Sequence, residues 1–113
     1  MQINKFKVEE KHIQNIHIVD DDIAECDINI YETGECVIHS LFVNKKYRYN
    51  GIGTQILTFA ESLLYQRGYF TIHLYVDTKK HNFWLYRWYT KLGYQKSAEK
   101  CEEGHLKMYK TLK

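Results

Sequence analysis

Across the segment YRYNGIGT, residues 47–54, the spacing of apolar residues changes from every second position to every third or fourth. A chain with that switch must pack strands and helices around one core, because alternation turns one face of a strand inward and a 3.6-residue period does the same for a helix. Upstream, Ile16 and Ile18, then Cys26, Ile28 and Ile30, then Cys36 and Ile38 share one face of their strands. Val37, Leu41 and Val43 are expected on the other face of the last one. The pattern predicts several antiparallel strands, with turns over residues 20–22 and 32–35, where Thr33 and Gly34 allow the positive φ of a short hairpin.

Downstream, Ile52, Ile56, Phe59, Ala60, Leu63 and Leu64 predict a helix over about residues 51–67, with Gly68 at its C-terminal stop. TIHLYVD, residues 71–77, alternates and is rich in β-branched residues, so it reads as a strand. A second helix, about 81–92, carries Trp84, Leu85, Trp88, Tyr89 and Leu92 and stops at Gly93; strands near 94–99 and 104–111 close the chain. Strand, helix, strand in this order makes a right-handed crossover between two parallel strands. The expected class is α/β (α+β): a mixed, largely antiparallel sheet with one parallel strand pair and two main helices, a single domain over residues 1–113. There is no repeat, low-complexity tract, linker or proline.

Composition narrows the function classes. With 44% hydrophobic against 27% charged residues, 113 residues suffice for a real core. A net charge of +2 lacks the concentrated basic footprint of a nucleic-acid binder. The three cysteines, Cys26, Cys36 and Cys101, show neither CxxC pairing nor an even count, which argues against a disulfide framework and a zinc site and for reduced thiols in the cytoplasm. Asp20, Asp21 and Asp22 lack the D-x-D-with-glycine pattern of a cation loop and read as a solvated turn; no metal is expected. No apolar run approaches the ~18 residues of a membrane span, and MQINKFKVEEK lacks the apolar block of a signal peptide. A cytoplasmic protein without a membrane partner is expected.

The glycines at 51 and 53 open the first helix, where backbone N–H groups lack intrahelical acceptors and carry partial positive charge. Without a Cβ there, a phosphate oxygen can approach those groups, and Arg48 can add its guanidinium fork. The same two glycines also suit a plain strand-to-helix turn. Two other phosphate motifs fail: a dinucleotide fingerprint needs glycine at Ile56, and a nucleotide P-loop needs lysine after Gly53, where Thr54 stands.

RYNGIG resembles R/Q-x-x-G-x-G/A, the acyl-CoA motif of the GNAT superfamily of N-acetyltransferases, placed after a strand ending in LFV and before a helix. NFWLYRWYTKLGY, residues 82–94, is similar to that family's second segment, with Asn82, Tyr89, Lys91, Gly93 and Tyr94 in register. The resemblance covers about residues 24–112. It departs in two places: strands stand where the family has a pair of helices that wall the acceptor pocket, and Leu85 replaces a small residue.

The resemblance implies acetyl-CoA as co-substrate of an N-acetyltransferase acting on a primary amine in a ternary complex. The pantetheine arm would lie between the two parallel strands along Leu41, Phe42 and Val43. The diphosphate would meet Arg48, Tyr49, Asn50, Gly51, Ile52, Gly53 and Thr54. Asn82 would cap the second helix and bond the arm. The N–H of Leu41 would stabilise the oxyanion, and Tyr89 would protonate the leaving sulfur, unless it is simply a core aromatic. For the base, the family's slots correspond to Val37 and His39, which leaves His39 as the direct candidate, or a strand histidine facing solvent. Trp84 and Trp88 read as core or coenzyme-pocket packing.

The acceptor is expected to be a small-molecule or peptide amine, and the protein a monomer or homodimer. Two other classes stay open. A catalytically silent acyl-CoA-binding module regulating a partner is one; a basic, aromatic nucleic-acid surface at KKYRYN is the other, and it matches no RNA-binding fingerprint.

Overall fold

The alternation upstream of the glycine pair folds as four strands in a meander: β1 Lys7–His12, β2 Asn15–Asp20, β3 Ala24–Ile30 and β4 Cys36–Val43. The computed structural model describes residues 6–12, 14–48, 50–77, 83–99, 101 and 104–112. After a 3-10 turn at Lys45–Tyr47 come α1 Ile52–Gln66, β5 Thr71–Asp77, α2 Phe83–Lys91, β6 Gln95–Lys96 and β7 His105–Thr111. One seven-stranded sheet in the order β1-β2-β3-β4-β5-β7-β6 holds them all. Only β4 and β5 pair in parallel, joined through α1; the remaining pairs are antiparallel. This is the mixed sheet with one parallel pair and two helices that the periodicity predicts.

Boundaries follow local chemistry. Strand β5 matches its expected span, and α1 falls within a residue of its own at each end. Helix α2 ends where Gly93 takes φ 99°, a left-handed conformation that lets the Tyr94 N–H reach back to the Tyr89 carbonyl at 3.0 Å. Of the start expected for it, residues 81 and 82 lie outside the described ones. The strand expected over 94–99 is only Gln95–Lys96, because the Ser97 hydroxyl accepts from the Glu99 N–H at 3.1 Å and turns the chain away.

The expected division of β4 into faces is corrected by a bulge. Asp27 opposes Ser40 while the next residue of β3, Ile28, opposes Ile38, so His39 is the extra residue. A one-residue slip reverses the parity of everything beyond it. Leu41 and Val43 therefore share the core face with Cys36 and Ile38, and Phe42 joins Val37 on the other.

The core lies on one side of the sheet. Ile16, Ile18, Cys26, Ile28, Ile72, Leu74 and Met108 meet Ile56, Leu57, Ala60 and Leu64 of α1 and Tyr94 after α2. Full burial of such a side chain is worth about 1.5–3 kcal/mol, which is what holds α1 down. Both α-helices direct their buried residues into this cluster, so among the described residues no helix covers the opposite face. That second face carries Asn15, His17, Glu25, Asp27, His73, Tyr75, Lys107 and Tyr109. Lys107, almost fully buried, is clasped by Glu35 at 3.1 Å and Glu99 at 2.5 Å. Burial by itself would lower its pKa, but the hydrogen bonds to Glu99 and Glu35 raise it above the ordinary lysine range.

Candidate active site

Strands β4 and β5 pair over three residues only: Cys36 with Ile72, Val37 with His73, Ile38 with Leu74. Beyond Ile38 they part. In an antiparallel ladder, successive residues alternate between bonding the partner strand and turning away from it. The Asn44 N–H donates to the Ile23 carbonyl at 2.8 Å, so Phe42 faces β3 as well. The peptide groups of Leu41 and Val43 are thereby turned toward the gap. Arg48 reaches into the same region: its Nε donates to the Val43 carbonyl at 2.9 Å, and its guanidinium lies 5.9 Å from the centre of the Phe42 ring.

At the far end of β4, the Asn44 side chain accepts from the Lys46 N–H at 3.1 Å and starts the 3-10 turn. The turn delivers the chain to Gly51, whose φ of 78° only a glycine adopts without strain. No side chain caps α1; its first backbone bond runs from the Gln55 N–H to the Gly51 carbonyl at 3.0 Å. The N–H groups of Ile52, Gly53 and Thr54 thus have no intrahelical acceptor at the positive end of a 15-residue helix.

Between the gap and this helix end lies a cleft of about 480 Å³. It is lined by Leu41, Phe42, Val43 and Arg48, by Gly51, Ile52, Gly53 and Thr54, and by Tyr89 from α2, all of them singled out in the sequence. Tyr47, Trp84, Leu85 and Trp88 complete the wall. The Trp88 and Tyr89 rings are 4.9 Å apart, and Tyr89 meets Tyr94 edge-on at 5.5 Å. Tyr94 is itself fixed, its hydroxyl donating to Glu61 at 2.9 Å while Lys110 bridges Glu61 and the Leu92 carbonyl. Burial, with a smaller contribution from Cys26, pushes the Tyr89 phenol up to about 12.

Other sequence candidates lie elsewhere. His39 is exposed on the bulge and does not line the cleft. Asn50 is exposed, its amide 3.5 Å from the Tyr47 carbonyl, and does not line the cleft. Tyr49 and Asn82 fall outside the described residues. The sequence marks Tyr47 only within the basic, aromatic stretch KKYRYN and not as a cleft residue, since its polar loop has no periodicity; it marks Leu85 only as a residue of the second helix that departs from the family pattern. A second hollow of about 390 Å³ is lined by Asp21, Asp22, Ala24, Glu25 and Asn44, and shares Phe42 with the cleft. Among the described residues no group of His, Cys, Asp and Glu could hold a metal ion, and no helix is long and apolar enough to cross a membrane.

The family model that matches this sequence is the acetyltransferase (GNAT) family, over residues 15–94. No curated protein sequence matches the chain. Several solved structures share the fold. An aminoglycoside 6'-acetyltransferase type Ii is 28% identical, with a TM-score of 0.70 over 88% of this chain and 70% of that one. The ribosomal-protein-S18-alanine N-acetyltransferase of Escherichia coli is 17% identical, with a TM-score of 0.69 over 92% of this chain and 72% of that one. The PaiA N-acetyltransferase of Thermoplasma acidophilum, solved in complex with coenzyme A, is 21% identical, with a TM-score of 0.70 over 86% of this chain and 59% of that one.

Proposed function

The chain belongs to the GNAT acetyltransferase family, and on that premise we propose that it transfers the acetyl group of acetyl-CoA to a primary amine by direct attack in a ternary complex. One observation carries the reading: the uncapped N-terminus of α1 opens onto the same cleft as the Leu41 and Val43 peptide groups. The cleft thus offers an anion site and, beside it, a strand edge able to bond an amide-bearing arm.

Acetyl-CoA supplies an activated thioester. In this reading the N–H groups of Ile52, Gly53 and Thr54 hold its diphosphate with Arg48, and the Leu41 N–H stabilises the charge that develops on the carbonyl oxygen. An alkylammonium has a pKa of about 10.4, so the acceptor must lose a proton before its lone pair forms the new C–N bond. His39, on the bulge, takes that proton directly or through water. As the C–S bond breaks, Tyr89 gives its proton to the sulfur; a phenol raised to about 12 is fully protonated for that task.

The test is the release of free thiol from acetyl-CoA in the presence of an amine panel, with coenzyme A binding followed separately by thermal shift. Turnover with at least one amine is expected. Coenzyme binding without any turnover would instead establish a silent acyl-CoA-binding module, and no binding at all would remove both readings.

A further inference from the structure

We propose that the helix-free face of the sheet docks the acceptor as a lysine- and arginine-rich polypeptide, so that the amine acetylated is a protein amine in cationic surroundings. The inference deepens the proposed acetyl transfer and rests on it.

Access comes first. The side of the sheet that carries α1 and α2 is filled by the core and by the cleft walls, Tyr89 and Trp88 among them. An amine that is to reach the gap beyond Ile38 without crossing the coenzyme cleft approaches from the side that, among the described residues, no helix covers. The bulge at His39 sits at that opening.

The charge of this face is the second argument. Glu25 stands directly opposite Phe42, a residue of the cleft, and Asp27 opposite Ser40, next to the bulge. Such cross-strand partners have Cβ atoms about 5 Å apart. Asp27 is held by the Asn15 amide at 2.9 Å. Glu25 continues into a ladder across β2 to β1, with His17 3.4 Å from Glu25 and 3.8 Å from Glu9. At the other end, Glu35 and Glu99 together outweigh the single charge of Lys107 between them. Lys7 on β1 and the Arg48 guanidinium over the Phe42 ring add positive charge here, yet with Lys107 they make three cations against the five carboxylates Glu9, Glu25, Asp27, Glu35 and Glu99, so the face is net acidic although the whole chain carries +2.

Shape and sign select the occupant. A broad sheet face without a helix encloses a small amine poorly, whereas an extended polypeptide crosses several strands and meets each carboxylate in turn. A second copy laid face to face would set these carboxylates against one another, and a nucleic acid carries the wrong sign.

The experiment compares, with the full chain and saturating acetyl-CoA, an unstructured peptide of alternating lysine and serine with lysine methyl ester. For the peptide, kcat/KM should exceed that of the ester by tenfold or more and fall about tenfold between about 50 and 300 mM salt, while the ester is nearly insensitive. The double variant Glu25→Gln, Asp27→Asn should raise the peptide KM about tenfold at little cost in kcat. The salt series on the unaltered protein answers the question even if that variant folds poorly. Equal kcat/KM for peptide and ester without salt dependence, or a preference for a free polyamine, would overturn the proposal while leaving acetyl transfer standing. Loss of the coenzyme-induced thermal shift would instead strike the reading beneath it.

Discussion

The indole of Trp88 packs beside Gly53, so that a methyl group added to that glycine would sit 3.4 Å from its Cζ2 atom and 3.7 Å from Val43. This contact ties α2 to the first turn of α1 and to the end of β4, the three elements that wall the cleft. A methyl at 3.4 Å is in ordinary van der Waals contact, and Gly53→Ala exchanges the weakest common helix former for the strongest, a gain of about 1 kcal/mol. Gly51 differs: open space surrounds it, but its φ of 78° penalises any Cβ by about 1–2 kcal/mol. Thermal denaturation should find Gly53→Ala as stable as the parent or more so, and Gly51→Ala less stable. Titration calorimetry with coenzyme A should find the larger loss of affinity in Gly51→Ala.

Arg48 is anchored through Nε on the Val43 carbonyl, which leaves the other guanidinium nitrogens for an anion. Arg48→Ala should weaken coenzyme A binding about tenfold, the size of one lost charge-assisted hydrogen bond, and pantetheine binding far less, because pantetheine has no phosphate. Arg48→Lys should recover little, since an ammonium cannot hold the carbonyl and the anion in one plane. Calorimetry with the two ligands separates the cases.

A general acid works while protonated, and Tyr89 stays protonated until the pH approaches about 12. The alkaline limb of the rate profile should therefore show no loss assignable to Tyr89 below about pH 10. Tyr89→Phe should lower kcat by a factor of about 10²–10⁴ with little change in KM for acetyl-CoA. Thiol release across pH reads both effects.

Cys26 is fully buried, and burial, with Asp27 adding to it, raises its thiol from 9.0 to about 12. Above pH 9 the unfolded chain releases protons that the folded chain retains at Cys26 and at Tyr89. The folded state then holds more protons than the unfolded one, so stability falls as pH rises. Melting temperature should decline steadily from pH 9 upward, and Cys26→Ala, though less stable at neutral pH, should show a shallower decline.

Periodicity made α1 and β5 legible almost to the residue, since Ile52, Ile56, Ala60 and Leu64 leave no other register for a helix and Ile72, Leu74 and Val76 none for a strand. The glycine pair at 51 and 53 and the register of Tyr89 pointed to the cleft wall. The bulge at His39 was not legible. It changes neither composition nor the local preference for strand, yet it decides that Leu41 and Val43 face the core side. The place of Tyr47 in the cleft was hidden for a related reason: it gets there through a 3-10 turn fixed by the Asn44 side chain, a tertiary detail without a sequence period.

Three residue pairs are all that stitch β4 to β5, so the sheet is two leaves joined by a short seam. An amide-bearing guest threaded alongside Leu41 and Val43 would lengthen that seam and make one stiff panel of the two. Occupancy would then be felt as far away as β1 and β6, at the outer margins of each leaf.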